Sequence, residues 1–209
     1  TIKGREDLLK RAIASIREDV TRVIVAGAIE VDLGGLGPAV TRTRAVVQTM
    51  NAGVRPKWIA FLDDDDEFLP DHLAKLVEHA EATGADVVYP WFELNVNGRV
   101  ENSKGDNLLL IHGKPAFGQQ FDPTGLDVNN FIPITTLVRA DLFVQVGGFP
   151  EVNSPEWPHP DNEDWALWLR LRDAGAVFSH LPERTWVWHW HGKNTSGRAD
   201  RAAAIYGGK

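Results

Sequence analysis

A chain of 209 residues with 43% hydrophobic content and no cysteine has enough apolar material for one domain with its own core. It excludes disulfide staples, zinc–thiolate sites and a thiol nucleophile, so any catalysis must come from oxygen or nitrogen groups or from a bound ion. The formal charge of −7 argues against broad nucleic-acid binding, which needs a basic face.

Leu9, Ala12, Ile13 and Ile16 recur at helical spacing and predict a helix over residues 5–16, and Val23, Ile24 and Val25 then predict a short strand. Gly34, Gly35 and Gly37 make a loop. Pro38 suits a first helical turn, and Val40, Val47 and Met50 mark a second helix that stops near Gly53. Residues 58–62 read as the next strand, followed at once by Asp63, Asp64, Asp65, Asp66 and Glu67. Pro70 opens a third helix with Leu73, Leu76, Val77 and Ala80 on one stripe and Gly84 as its stop, and residues 86–89 form a further strand.

Beyond Trp91 the pattern changes. Asn97-Gly98 signals a hairpin between residues 92–96 and 99–101, and the polar, glycine-rich residues 103–125 are expected to form a long loop. Order returns with a strand over residues 131–138 and a short helix over 141–146, ended by Gly147 and Gly148. A proline-rich loop at 155–160 leads to a helix that begins at Asp161, Asn162, Glu163 and Asp164, carries Trp165, Trp168, Leu169 and Arg172, and stops at Gly175. The last predicted element is a strand over 186–191, whose alternation puts Trp186, Trp188 and Trp190 on one face and Val187, His189 and His191 on the other. Strands alternating with helices predict an α/β fold with a mainly parallel central sheet, helices on both faces and a small antiparallel hairpin. Ligands of such sheets bind beyond the carboxyl ends of the strands.

No stretch approaches about eighteen consecutive apolar residues, and residues 1–7 carry no apolar signal core. No membrane span is expected, and a cytoplasmic location follows as an expectation.

Several groups can carry chemistry. An acidic run is often only a solvated surface, but this one directly follows an apolar strand, where hard oxygen donors suit Mg²⁺ or Mn²⁺ and leave places for water and phosphate oxygens. His189 or His191 can complete an ion's shell, tilting the choice toward Mn²⁺, or the two can be hydrogen-bonded structural histidines. Glu163 and Asp164, at a helix start, either offset the macrodipole at ~0.3–1 kcal/mol or supply a general base. Arg42 and Arg44, in a helix entered through a glycine-rich loop, either pair with a diphosphate or are surface charges.

In this order the pieces resemble the family-2-type inverting glycosyltransferases of GT-A fold, over about residues 1–198. Three segments carry the likeness: residues 58–70 around the acidic run, residues 138–149 followed by 163–171, and residues 191–196. The resemblance implies a single GT-A (Rossmann-like) domain, with residues 1–91 as the nucleotide-sugar-binding half, 92–198 as the acceptor and catalytic half and 199–209 as a tail. It matches the family's D-x-D motif to Asp63 and Asp65, with Asp66 alongside, and its E-D motif to Glu163 and Asp164, Asp164 being the general base. It further implies that His191, ahead of His189, joins Asp65 and Asp63 around the metal, with Asp63, Asp64, Arg42 and Arg44 toward the donor. The strand that relatives place first would precede residue 1. The acidic pair usual after the second strand is replaced by residues 26–32, leaving Glu30 or Asp32 to contact the nucleotide.

The expected activity is transfer of a sugar from a nucleoside-diphosphate sugar to an acceptor hydroxyl with Mn²⁺ or Mg²⁺. The donor nucleotide and the acceptor stay open. The rival readings are a nucleotide-sugar phosphohydrolase or nucleotidyltransferase on the same acidic site, and a non-catalytic carbohydrate-binding module stacking sugars on Trp186, Trp188 and Trp190.

Overall fold

A computed structural model describes residues 5–19, 37–96, 99–100, 110–111, 114–115, 119–150 and 163–190. The expected strand at Val23–Val25, the residues Glu30, Asp32 and His191, and the loop at 155–160 lie outside these.

Among the described residues five α-helices follow the apolar periodicity: α1 (Glu6–Asp19), α2 (Pro38–Asn51), α3 (His72–Thr83), α4 (Ala140–Gln145) and α5 (Glu163–Asp173). Their ends obey local chemistry. Pro38 supplies the first turn of α2, and Gly84, at φ 70°, closes α3 in the left-handed conformation that lacks a steric penalty only for glycine. The strands are β1 (Trp58–Ala60), β2 (Glu67–Phe68), β3 (Val87–Val96), β4 (Arg99–Val100), β5 (Leu110–Ile111), β6 (Lys114–Pro115), β7 (Leu137–Arg139) and β8 (Phe178–Trp190).

The central sheet runs β1-β7-β3-β8-β2, with β4 beside β3. Among the described residues it is mixed, which corrects the expectation of a mainly parallel sheet: β3 and β8 pair in parallel, while β1–β7, β3–β7, β2–β8 and β3–β4 are antiparallel. The reason is topological. β1, α3 and β3 form a crossover whose two strands run the same way, but β7 inserts between them in the opposite sense, aligning Ile59, Val138 and Val87 across three strands. Alternation along the sequence reports the crossover and is silent on what wedges into it.

Other departures are local. The expected strand over 131–138 survives only at its end; residues 131–136 are an irregular and almost wholly buried segment. β8 starts eight residues before the expected Trp186, and β5 and β6 form a small antiparallel pair inside the expected loop. The hairpin at Asn97-Gly98 is borne out by β3–β4 pairing on either side of it.

Strand alternation sorts the core onto both faces. Val87, Tyr89 and Val138 pack with Leu167, Trp168 and Leu171 of α5 and Phe143 of α4, whereas Val88 and Leu137 pack with Leu76 and Ala80 of α3. Helices thus cover both sides, as expected. Because α2 leads into the amino end of β1 and α5 into that of β8, the amino-terminal halves of both helices lie toward the strands' carboxyl ends. The acidic run leaves β1 at that same end. No helix among the described residues is long and apolar enough to cross a membrane.

Candidate functional site

The acidic run is a tight turn between β1 and β2. The Asp66 N–H donates to the Asp63 carbonyl at 3.2 Å, and β2 then pairs with β8 at Glu67↔Val187 and Phe68↔Trp186. This turn determines which carboxylates meet. Asp63, Asp65 and Asp66 each place an oxygen within 4.8 Å of the others. Asp64 sits outside that trio, and its Oδ1 is 3.1 Å from Arg5 Nη1. Asp64, Asp65 and Asp66 are all buried, Asp66 at 4% exposure.

Like charges ~4 Å apart repel by about 4 kcal/mol at an effective dielectric near 20, so such a cluster needs cations around it. Two arginines supply charge from distant elements. Arg5, just ahead of α1, pairs with Asp65 as well as Asp64, and Arg42 of α2 donates from Nη2 to Asp63 Oδ1 at 2.6 Å. Even so, burial, and after it the charges of Asp65 and Asp63, push the Asp66 carboxyl well above the usual carboxylate range, although the His189 N–H donates to its Oδ1 at 3.1 Å. The turn therefore concentrates negative charge on hard oxygen donors, the set that suits Mg²⁺ or Mn²⁺.

Arg42 also reaches the other half of the chain. Its second terminal nitrogen, Nη1, pairs with Glu163 Oε1 at the start of α5, and its guanidinium carbon lies 5.8 Å from the centroid of the Phe149 ring. Burial opposes the charge on Arg42, but Asp63 and Glu163 outweigh it and hold the guanidinium protonated. Asp164 follows directly. Its Oδ1 accepts from the Trp165 N–H at 2.8 Å and its side chain is bonded to that of Asn130. Burial first, and the Glu163 charge second, raise the Asp164 carboxyl to about 7, against the opposing charge of Arg42. Two indole N–H groups fix α5 in place, Trp165 Nε1 to the Leu126 carbonyl at 2.7 Å and Trp168 Nε1 to that of Ile132 at 3.1 Å.

Of the residues singled out from sequence, the structure joins Asp63, Asp65, Arg42, Glu163 and Asp164. Asp64 lies beside them on Arg5, and Arg44 is exposed on α2. The imidazole of His189 is 2.7 Å from Glu67 Oε1, which also receives Arg11 Nε at 2.7 Å, and its backbone N–H reaches the acidic turn at Asp66. Trp186 is 3% exposed and packs on Phe92 with ring centroids 5.2 Å apart, and Trp188 meets the same ring edge-on, so these indoles serve the core instead of an open sugar platform. Sequence reasoning set Asp66 beside the motif without giving it a role, and it missed Arg5 altogether. The sequence signal for Asp66 is its place in the acidic run, and the turn closed by its N–H on the Asp63 carbonyl is what brings it into the trio.

The family model for glycosyl transferase family 2 matches residues 39–147, just over half of the 209. The chain belongs to that family. The matched span runs from α2 through the acidic turn to the glycine after α4. Among curated proteins, this family-2 chain is 42% identical over 52 residues to the succinoglycan biosynthesis protein ExoO of Rhizobium meliloti (strain 1021), a stretch covering 23% of the chain and 15% of that protein. Among solved structures it is similar to S. aureus TarS 1-349 in complex with UDP, with a TM-score of 0.60 and 15% identity over 90% of the chain and 58% of that TarS fragment. The complex of TarS 1-349 with UDP-GlcNAc gives a TM-score of 0.58 at 14% identity, covering 93% of the chain and 58% of that fragment. The family-2 chain thus spans less than two thirds of the length of these relatives, and at such identity the likeness to TarS concerns the fold.

Proposed function

We propose that this chain catalyses transfer of a sugar from a nucleoside-diphosphate sugar to an acceptor hydroxyl by single displacement, with Asp164 as general base. The observation that carries the reading is Arg42. One partly buried guanidinium ties Asp63 of the acidic turn to Glu163, the neighbour of Asp164, and so sets the proposed donor side and the proposed base side in one register. Membership of glycosyl transferase family 2 supports the reaction class. The UDP and UDP-GlcNAc complexes of TarS make uridine-linked sugars the first donors to try.

Asp63, Asp65 and Asp66 would hold a divalent cation, with Mn²⁺ or Mg²⁺ as the candidates, and it would offset the charge of a departing diphosphate. The remaining roles belong to side chains. Asp164, with a carboxyl raised to about 7, is poised to take a proton from a hydroxyl near neutral pH. The Trp165 N–H and Asn130 orient it, and Arg42 keeps Glu163 from turning its charge wholly on it. Attack by the freed alkoxide on the anomeric carbon would invert its configuration. The segment at 103–125 and the loop at 155–160 are our candidates for the acceptor wall, since loops at a sheet's carboxyl edge carry specificity.

The test is Asp164→Asn. Turnover is expected to fall by about 10²-fold or more, the scale of a lost general base, while calorimetric binding of the sugar nucleotide with Mn²⁺ stays within a small factor of wild type. Comparable turnover in the two proteins would remove Asp164 from the mechanism.

A further inference from the structure

We propose that Arg5 is an internal counter-ion of the acidic turn which a divalent cation displaces, so that ion binding unlatches the first turn of α1. This rests on the reading of Asp63, Asp65 and Asp66 as ion ligands. Arg5 is bound to one of the three: Nη2 pairs with Asp65 Oδ2 while Nη1 holds Asp64 at 3.1 Å, across some sixty residues of chain. A guanidinium on that oxygen and a divalent cation among the same carboxylates repel each other and compete for the same lone pairs.

Two features place Arg5 there for the carboxylates and not for its helix. It immediately precedes Glu6, the first residue of α1, so its charge stands at the positive end of the helix macrodipole, where a cation is disfavoured. The docking of α1 has ties of its own farther along. Arg11 Nε lies 2.7 Å from Glu67 Oε1, Ser15 Oγ accepts from the Phe68 N–H at 3.0 Å, and Ala12 is buried at 3% exposure. Arg5 can therefore let go without undocking the helix. The Arg5 side chain is 21% exposed, so water can receive it when it leaves.

The experiment is calorimetric titration of Mn²⁺ alone into wild type, Arg5→Gln and Arg5→Lys, each with a cooperative melt recorded with and without Mn²⁺. Arg5→Gln is expected to bind Mn²⁺ at least about threefold more tightly, as expected when a partly exposed, charge-assisted competitor is removed. Its metal-free Tm should be lower than that of wild type and its gain in Tm with Mn²⁺ larger, with Arg5→Lys between the two in both respects. Equal or weaker Mn²⁺ affinity in Arg5→Gln overturns the counter-ion role and leaves the ion site standing. No Mn²⁺ binding in any of the three overturns the ion site and the latch together. Should Arg5→Gln not fold, Arg5→Lys decides alone: it keeps the charge but loses the two-pronged contact, and unchanged Mn²⁺ affinity in it contradicts the proposal.

Discussion

Asp164 carries a thermodynamic signature that can be read without knowing the acceptor. Its carboxyl titrates near 7 in the folded protein and near ~3.9 in an unfolded chain. Between those values the native state keeps a proton that the unfolded state has released, so this group makes stability fall as pH rises from about 4 to about 7. Asp164→Asn removes the dependence. The variant should melt above wild type at pH 8, and the gap should close on approaching pH 4 to 5 in paired thermal melts; a gap that is flat with pH would mean that burial does not raise this group. The same titration predicts that kcat/KM of wild type rises with pH through about 7 as the base ionises. From sequence the residue was legible as the acid of an E-D pair at a helix start. Its environment was not, because Asn130 and Arg42 come from other segments of the chain. The acidic run shows the same limit. Four consecutive aspartates announce a site, but only the turn that bonds Asp66 to Asp63 determines that Asp66 joins the trio and Asp64 turns to Arg5.

Among the elements, α5 does most to position the site, and its anchor is Trp168, which is fully buried and bonded through Nε1 to the Ile132 carbonyl. Trp168→Ala removes a large core side chain and leaves that carbonyl without its donor, at an expected cost of about 3–5 kcal/mol in denaturant unfolding. A loss below about 1 kcal/mol would show that α5 is held elsewhere. On the opposite side, Ser15→Ala takes from the buried Phe68 N–H its acceptor, an expected loss of about 1–3 kcal/mol. Native-state hydrogen exchange at Phe68 should quicken with it, whereas an unchanged rate would detach β2 from α1. The helices were readable from their apolar residues at helical spacing and, for α2, α3, α4 and α5, from a glycine or proline at one end. β2 was not, because two residues have no periodicity and exist as a strand only through pairing with β8. Residues 178–185 mix Pro182, Glu183 and Arg184 with apolar positions and give no strand pattern of their own. Pairing with β3 makes them one, with a register shift around Trp91 absorbing the irregularity.

At the scale of the whole molecule, the sheet order explains why residues far apart in sequence share one end of the fold. β1, β3 and β8 run in the same direction, so the acidic turn after β1 and the start of α5 before β8 both fall at the carboxyl end. Sequence alternation was sufficient for the class of fold and for that end of the sheet. It could not show β7 lying antiparallel between β1 and β3, since that depends on which strand finds which edge, a long-range choice. The net charge of −7 has a local counterpart at the acidic turn, answered by Arg5 on Asp64 and Asp65 and by Arg42 on Asp63. The proposed function requires this turn to bind a sugar nucleotide through a divalent cation. The most direct measurement is the Tm of wild type and Asp65→Ala against a panel of sugar nucleotides, with Mn²⁺ and with chelator, because a bound ligand raises Tm by mass action. A donor that raises the wild-type Tm with concentration only when Mn²⁺ is present, and that leaves Asp65→Ala unmoved, is the predicted result; an equal rise with chelator, or in Asp65→Ala, would contradict it.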